Sequence, residues 1–68
     1  MNGQNREDIY PGIEVDVIQK QDQRSGRLTR GIVDRLLTSA TYHSRGIKVR
    51  LRDGTVGRVA AIIGDPEE

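Results

Sequence analysis

The chain has no cysteine, no phenylalanine and no tryptophan, and only two tyrosines, two prolines and one histidine among its 68 residues. Without cysteine no disulfide can staple so short a chain, and a reducing cytoplasm is the expected setting. One histidine and no thiol also leave too few ligands for a usual zinc site. With no large aromatic anchors, the core must be built from Ile, Val and Leu, in a domain whose size lets it bury only a low fraction of its surface. No run approaches the roughly 18 apolar residues of a membrane span. The stretch Met1 to Asp8 is hydrophilic with no apolar run behind it, so neither insertion nor export is expected.

What is present is charge, unevenly placed. The formal net charge is only +1. Between Ile9 and Ile63, however, ten Lys or Arg stand against five Asp or Glu, while the two ends carry Arg6 against Glu7, Asp8, Asp65, Glu67 and Glu68. The middle is therefore basic and its flanks acidic. A local excess of cations favours polyanionic partners, through the field and through counterion release. The organisation that follows is a loose arm over 1–8, one small domain over 9–63 and a frayed acidic tail over 64–68.

Within the domain, Pro11-Gly12 is a turn signal, and Ile13, Val15 and Val17 alternate with Glu14 and Asp16 as in a half-buried strand of about 13–19. Lys20 to Arg27 contains no apolar residue and reads as a polar connection. Residues 28–37 are ambiguous, because Leu28, Ile32 and Leu36 also fit one helical face. Gly31 and the neighbouring β-branched Ile32 and Val33 weaken a short helix, so a strand is expected. Thr38 to Gly46 reads as a polar loop holding Tyr42 and His43.

The alternation is strictest in the stretch GIKVRLRDGTVGRV. Ile47, Val49 and Leu51 point one way, and Lys48, Arg50 and Arg52 the other. Asp53-Gly54 signals a two-residue type I′ hairpin turn, which sets Leu51 opposite Val56. Continued unbroken, that register drives Arg58 into the core face, so a β-bulge is expected at Gly57-Arg58. The last strand then runs to about Ile62. Four or five short strands and no convincing helix suggest a small, strongly bent β-barrel or sheet.

Most catalytic and cofactor signatures fail. The stretch SGRLTRG has neither the spacing of a dinucleotide fingerprint nor a P-loop lysine. His43 and Ser44 are adjacent on an extended chain, so their side chains diverge, and no third group is evident to orient them. Asp53 is accounted for by its turn, while Asp22 and Asp34 are scattered. No enzyme activity, cofactor, metal or small-molecule substrate is expected. The basic alternation is different, because cations two residues apart on a strand lie about 6.5 to 7 Å from one another, similar to successive phosphates on one nucleic-acid strand. The plainer account of the same pattern is a solvated outer face whose cations suppress edge-to-edge aggregation.

Two resemblances rest on these residues. The stretches KQDQRSGRLTRGIVDRLLT and HSRGIKVRLRDGTVGRV resemble the YwbE family of small, functionally uncharacterised proteins, from Pro11 to Val59, at positions including Asp22-Gln23, Gly26, Leu28-Thr29, Gly31 and Gly46 to Leu51. The region Gly12 to Leu37 resembles the KOW motif of ribosomal and transcription-associated proteins. That resemblance implies an SH3-like small barrel and contact with RNA; taken with the strand pattern, the expected fold is an all-β, SH3-like, partly open barrel of four to five strands.

The leading expectation is a non-enzymatic RNA-binding module whose basic strand contacts phosphates. Lys48, Arg50 and Arg58 would attract the backbone, Arg24, Arg27, Arg30 and Arg45 would widen the field, and Tyr42 or His43 would stack on a base. With so few aromatics, phosphate contact is favoured over base-by-base recognition. The alternative is a protein-interaction adaptor that uses the 20–27 and 38–46 loops as its contact surface.

Overall fold

The computed structural model describes residues 3–66. Four strands carry the fold: β1 (Glu14–Ile18), β2 (Thr29–Leu36), β3 (Lys48–Leu51) and β4 (Val56–Gly64). Short 3-10 turns lie at Arg6–Asp8 and Lys20–Asp22. Each strand runs antiparallel to the next, and β4 returns to pair with β1. The result is a closed small barrel of order β1-β2-β3-β4, all-β and consistent with the SH3-like class. The expectation of a partly open barrel is corrected by the β1–β4 ladder, which extends from Glu14 opposite Gly64 to Ile18 opposite Arg58.

The period-two pattern explains the interior. Val15 and Val17 of β1, Val33 of β2, Val49 and Leu51 of β3 and Val59 of β4 turn inward, each at most 1% exposed. Ile9, Ile13 and Ile47 complete the buried set from outside the strands. Within residues 28–37 the chain forms strand rather than helix, over Thr29–Leu36, and Gly31 shows why the segment suits a sheet. A Cβ at Gly31 would lie 2.6 Å from Leu51 Cδ1, so the missing side chain makes room for a core leucine.

Closing so few strands into a barrel requires sharp bends, and three residues fall out of register to provide them. On β4, Ala60 and Ile63 are the extra residues against β1, because Val17 pairs with Val59 but Asp16 with Ala61, and Val15 with Ile62 but Glu14 with Gly64. On β2, Asp34 is extra against β3, since Val33 pairs with Leu51 and Arg35 with Arg50. Such insertions raise local twist and bend the strand.

The hairpin differs from the expected one. Lys48 pairs with Arg58, Val49 with Gly57 and Arg50 with Val56, in unbroken register. Leu51 N–H donates to Thr55 O at 2.7 Å, and Gly54 N–H to Leu51 O at 2.9 Å. The connection is thus three residues long, with Gly54 at φ +94° and Asp53 not at positive φ, so it is not a type I′ turn. The longer turn shifts β4 by one residue, and this alone places Arg58 on the outer face. No bulge at Gly57-Arg58 is needed, and none occurs; the bulges face β1 instead.

Residues 3–8, read from composition as a loose arm, lie along the 41–47 segment. Ile47 N–H donates to Gly3 O at 2.7 Å, His43 N–H to Gln4 O at 2.9 Å and Arg6 N–H to Thr41 O at 2.9 Å. Polarity hid this docking because backbone groups make the ladder, whatever the side chains. At the other end, the Tyr10 hydroxyl donates to the Asp65 carboxylate. Glu67 and Glu68, part of the expected acidic tail, lie outside the described residues, as do Met1 and Asn2.

Candidate functional site

The outer face of the barrel sorts its cations into three environments. The first is on β1 and β2. Asp16 faces outward from β1 yet is only 7% exposed, because Arg30, directly opposite on β2, lies over it. Arg30 donates from Nε to Asp16 Oδ1 at 2.9 Å and from Nη2 to Oδ2 at 3.1 Å, a fork-on-carboxylate pairing. The hydrogen bond from Arg30, reinforced by its charge, holds the Asp16 carboxyl below its ordinary pKa against the opposing effect of burial. The Arg30 charge is thus committed within the fold.

The second environment joins β2 to β3. Asp34 Oδ2 lies 3.6 Å from Arg50 Nε and 4.0 Å from Arg35 Nε, a looser arrangement with all three side chains substantially exposed. Arg35 and Arg50 are direct cross-strand partners and share the outer face.

The third is a groove between the 20–23 turn and the β3–β4 ladder. It comprises two adjoining depressions of about 570 and 450 Å³ that share Ile18, Gln23 and Arg58. Lys20 and Lys48 line the larger and Arg45 the smaller, with Gln19, Gln21 and Val56 along the walls. No carboxylate lines either, and none of Lys20, Arg45, Lys48 and Arg58 has an ion-pair partner among the described residues. Like charges so placed reinforce one another's field, which makes the groove the natural seat for an anion.

Local structure explains how these residues meet. Lys48 and Arg58 are directly opposed in the hairpin, and Ile18 pairs with Arg58 on the far side of β4. Between Val56 and Arg58, Gly57 is buried, and a Cβ there would lie 2.8 Å from Ile18 O. Glycine therefore allows β1 to close on β4 at the groove floor. Arg45 is held by the loop beside it, where Arg45 N–H donates to His43 Nδ1 at 3.1 Å. Gly46, at φ +103°, leaves no room for a side chain, since a Cβ would lie 2.1 Å from Val59 O. Its carbonyl accepts a hydrogen bond from Arg58 Nη1 at 3.1 Å, tying the loop to the groove.

Of the nine residues singled out from sequence, Arg45, Lys48 and Arg58 meet in the groove. Arg50 is next along β3 and shares Asp34, and Arg30 is engaged by Asp16. Arg24 and Arg27 are exposed on the connection that continues from Gln23. Tyr42 lines a separate depression with Asn5, Arg6, Glu7 and Thr41, and His43 is half-buried with Nδ1 occupied. Sequence reasoning missed Lys20 and Arg35. Lys20 was legible in retrospect as the second residue past β1, whose last residue, Ile18, pairs with Arg58. Arg35 required the Asp34 bulge, for which the sequence carries no signal.

With this geometry in place, comparison with known proteins gives a relationship. A family model described as "Uncharacterized conserved protein (DUF2196)" matches residues 2–62. The chain belongs to this family. It is also 51% identical over 63 residues to the protein described as "Uncharacterized protein YwbE" from Bacillus subtilis (strain 168), across 93% of this chain and 97% of that protein. The family resemblance read from Pro11 to Val59 is thereby shown, and it covers the strands and loops that form the groove. No solved structure matches the chain. Among the described residues, no helix is long and apolar enough to cross a membrane, and no group of three His, Asp or Glu is placed to hold a metal ion.

Proposed function

We propose that the protein is a non-enzymatic RNA-binding module, located in the cytoplasm, that holds phosphates in the groove beside the β3–β4 hairpin. The observation that carries this reading is the direct opposition of Lys48 and Arg58, flanked by Lys20 and Arg45, in a groove lined by no carboxylate among the described residues. Cations with no ion-pair partner among the described residues are available to an external polyanion, whereas a pair such as Arg30–Asp16 must first be broken. The resemblance of Gly12 to Leu37 to the KOW motif adds the preference for RNA.

The test is fluorescence anisotropy of a labelled RNA 12-mer across a potassium chloride series. Four engaged cations give a slope of log affinity against log salt of about −3 for a single strand. Lys48→Glu with Arg45→Glu, both exposed positions, is expected to weaken binding by about 100-fold at low salt while circular dichroism shows the fold retained. Binding indifferent to both salt and charge reversal refutes the phosphate reading. The 20–23 and 38–46 loops both reach this groove, so a protein partner would use the same surface. A partner retained from nuclease-treated extract and lost on the same charge reversal would favour the adaptor instead.

A further inference from the structure

The groove is only one end of the basic surface. Lys48 and Arg50 alternate on β3, so both face outward about 6.5 to 7 Å apart. Arg50 stands opposite Arg35 on β2, and Lys48 stands opposite Arg58 on β4. A line of cations therefore leaves the groove, follows β3 and steps across to β2. Among the described residues its single acidic member is Asp34, whose Oδ2 approaches both arginines without the close, forked geometry of the Asp16–Arg30 pair.

Beside the cations, the groove presents Gln19, Gln21 and Gln23 and the apolar Ile18 and Val56, the last 38% exposed. A duplex turns its base faces inward on itself and would leave these groups with little to contact. A single strand exposes both base faces and base edges, which apolar surface and amides respectively can meet.

Resting on the RNA reading, we propose that the ligand is a single strand laid along β3. One phosphate seats between Lys48 and Arg58, and the next seats at Arg50 and Arg35, where it takes the place of Asp34. Asp34 is then an internal competitor that occupies the far phosphate site in the free protein and limits affinity. The bulge that puts Asp34 out of register on β2 is what lets its carboxylate reach across to Arg50.

The experiment compares a labelled oligouridine 12-mer with a 12-base-pair RNA duplex, each titrated with the wild-type protein, Asp34→Asn, Arg35→Gln and the double variant. The wild type is expected to bind the single strand about tenfold more tightly than the duplex. Asp34→Asn is expected to tighten single-strand binding by about threefold to tenfold and to steepen the salt slope by about 0.7, the contribution of one further phosphate. Arg35→Gln is expected to abolish that gain in the double variant, which separates a local competitor from a general change in net charge. Equal affinity for duplex and single strand overturns the proposal, as does an Asp34→Asn gain that survives loss of Arg35, or no gain at all. In each of those outcomes, salt-dependent binding by the wild type leaves the broader RNA reading standing. Failure of the wild type to bind either probe overturns both.

Discussion

Arg30 and Arg58 occupy similar places, each on the outer face of a strand directly neighbouring β1, yet their surroundings give them opposite uses. Arg30 lies over Asp16 in a two-pronged pairing that covers a nearly buried carboxylate. Arg58 meets another cation, Lys48, across the ladder, and among the described residues its side chain hydrogen-bonds only to a backbone carbonyl. One face of the barrel spends its charge internally and the other presents it outward. Counting arginines along the chain cannot tell the two apart, because the difference lies in which residue the fold sets opposite each one.

That contrast can be broken most forcefully with matched neutral substitutions. Arg45→Gln in the groove is expected to lower RNA affinity by about fivefold to tenfold, with a salt slope shallower by about 0.7, and to leave the thermal midpoint unchanged. Arg30→Gln is expected to do the reverse, leaving affinity within about twofold while the midpoint falls, because Asp16 keeps its charge in a nearly buried position without its forked partner. Should both variants lose affinity equally, the division into a structural and a binding face collapses.

Acid unfolding sharpens the same division. The folded pKa of Asp16 is depressed, chiefly by the Arg30 hydrogen bond. A depressed carboxylate contributes stability that is fully present above its unfolded pKa of about 3.9 and is lost as pH falls through the lower folded value. Arg30→Gln should therefore shift the acid-unfolding midpoint upward, while Arg45→Gln should not. Asp53 is depressed as well, through the backbone hydrogen bond from Thr55, so part of the acid dependence persists in the Arg30 variant. Circular dichroism followed from pH 7 to pH 2 gives the comparison.

The smallest expected effect concerns the turn that sets the hairpin register. Gly54→Ala meets no atom within 4 Å, but it forces a side chain into φ +94°. The cost is about 1 kcal/mol, read as a fall in thermal midpoint of about 4 to 8 °C for a domain this small. Gly54 lines the larger depression but brings no charge to it, so RNA affinity should fall by no more than about twofold, the register that opposes Lys48 to Arg58 being kept by the inward Val49, Leu51 and Val59. A large loss of affinity at unchanged stability would mean that the turn backbone at the groove wall contacts the ligand directly.

Much of the fold was legible because the pattern of β1 and β3 is local. Val15 and Val17, or Val49 and Leu51, must face the same way on any extended chain, and Gly31 with Ile32 and Val33 is enough to disfavour a helix. The hairpin was misread because Asp53-Gly54 suits two turn geometries. A difference of one residue between them decides whether Val56 or Thr55 faces Leu51. Within the candidate site, the outward direction of Lys48 and Arg50 was legible, as was the position of Arg45 in a loop. The engagement of Arg30 was not, since its partner lies 14 residues away on another strand.

By itself the sequence determined an aliphatic, all-β body with a basic outer strand, because alternation along an extended backbone fixes which side chains share a face. Only the tertiary structure decided which cations are neutralised and which converge. Barrel closure, three out-of-register residues and the turn length choose the cross-strand neighbours, and electrostatic interaction depends on distance in space rather than on order along the chain.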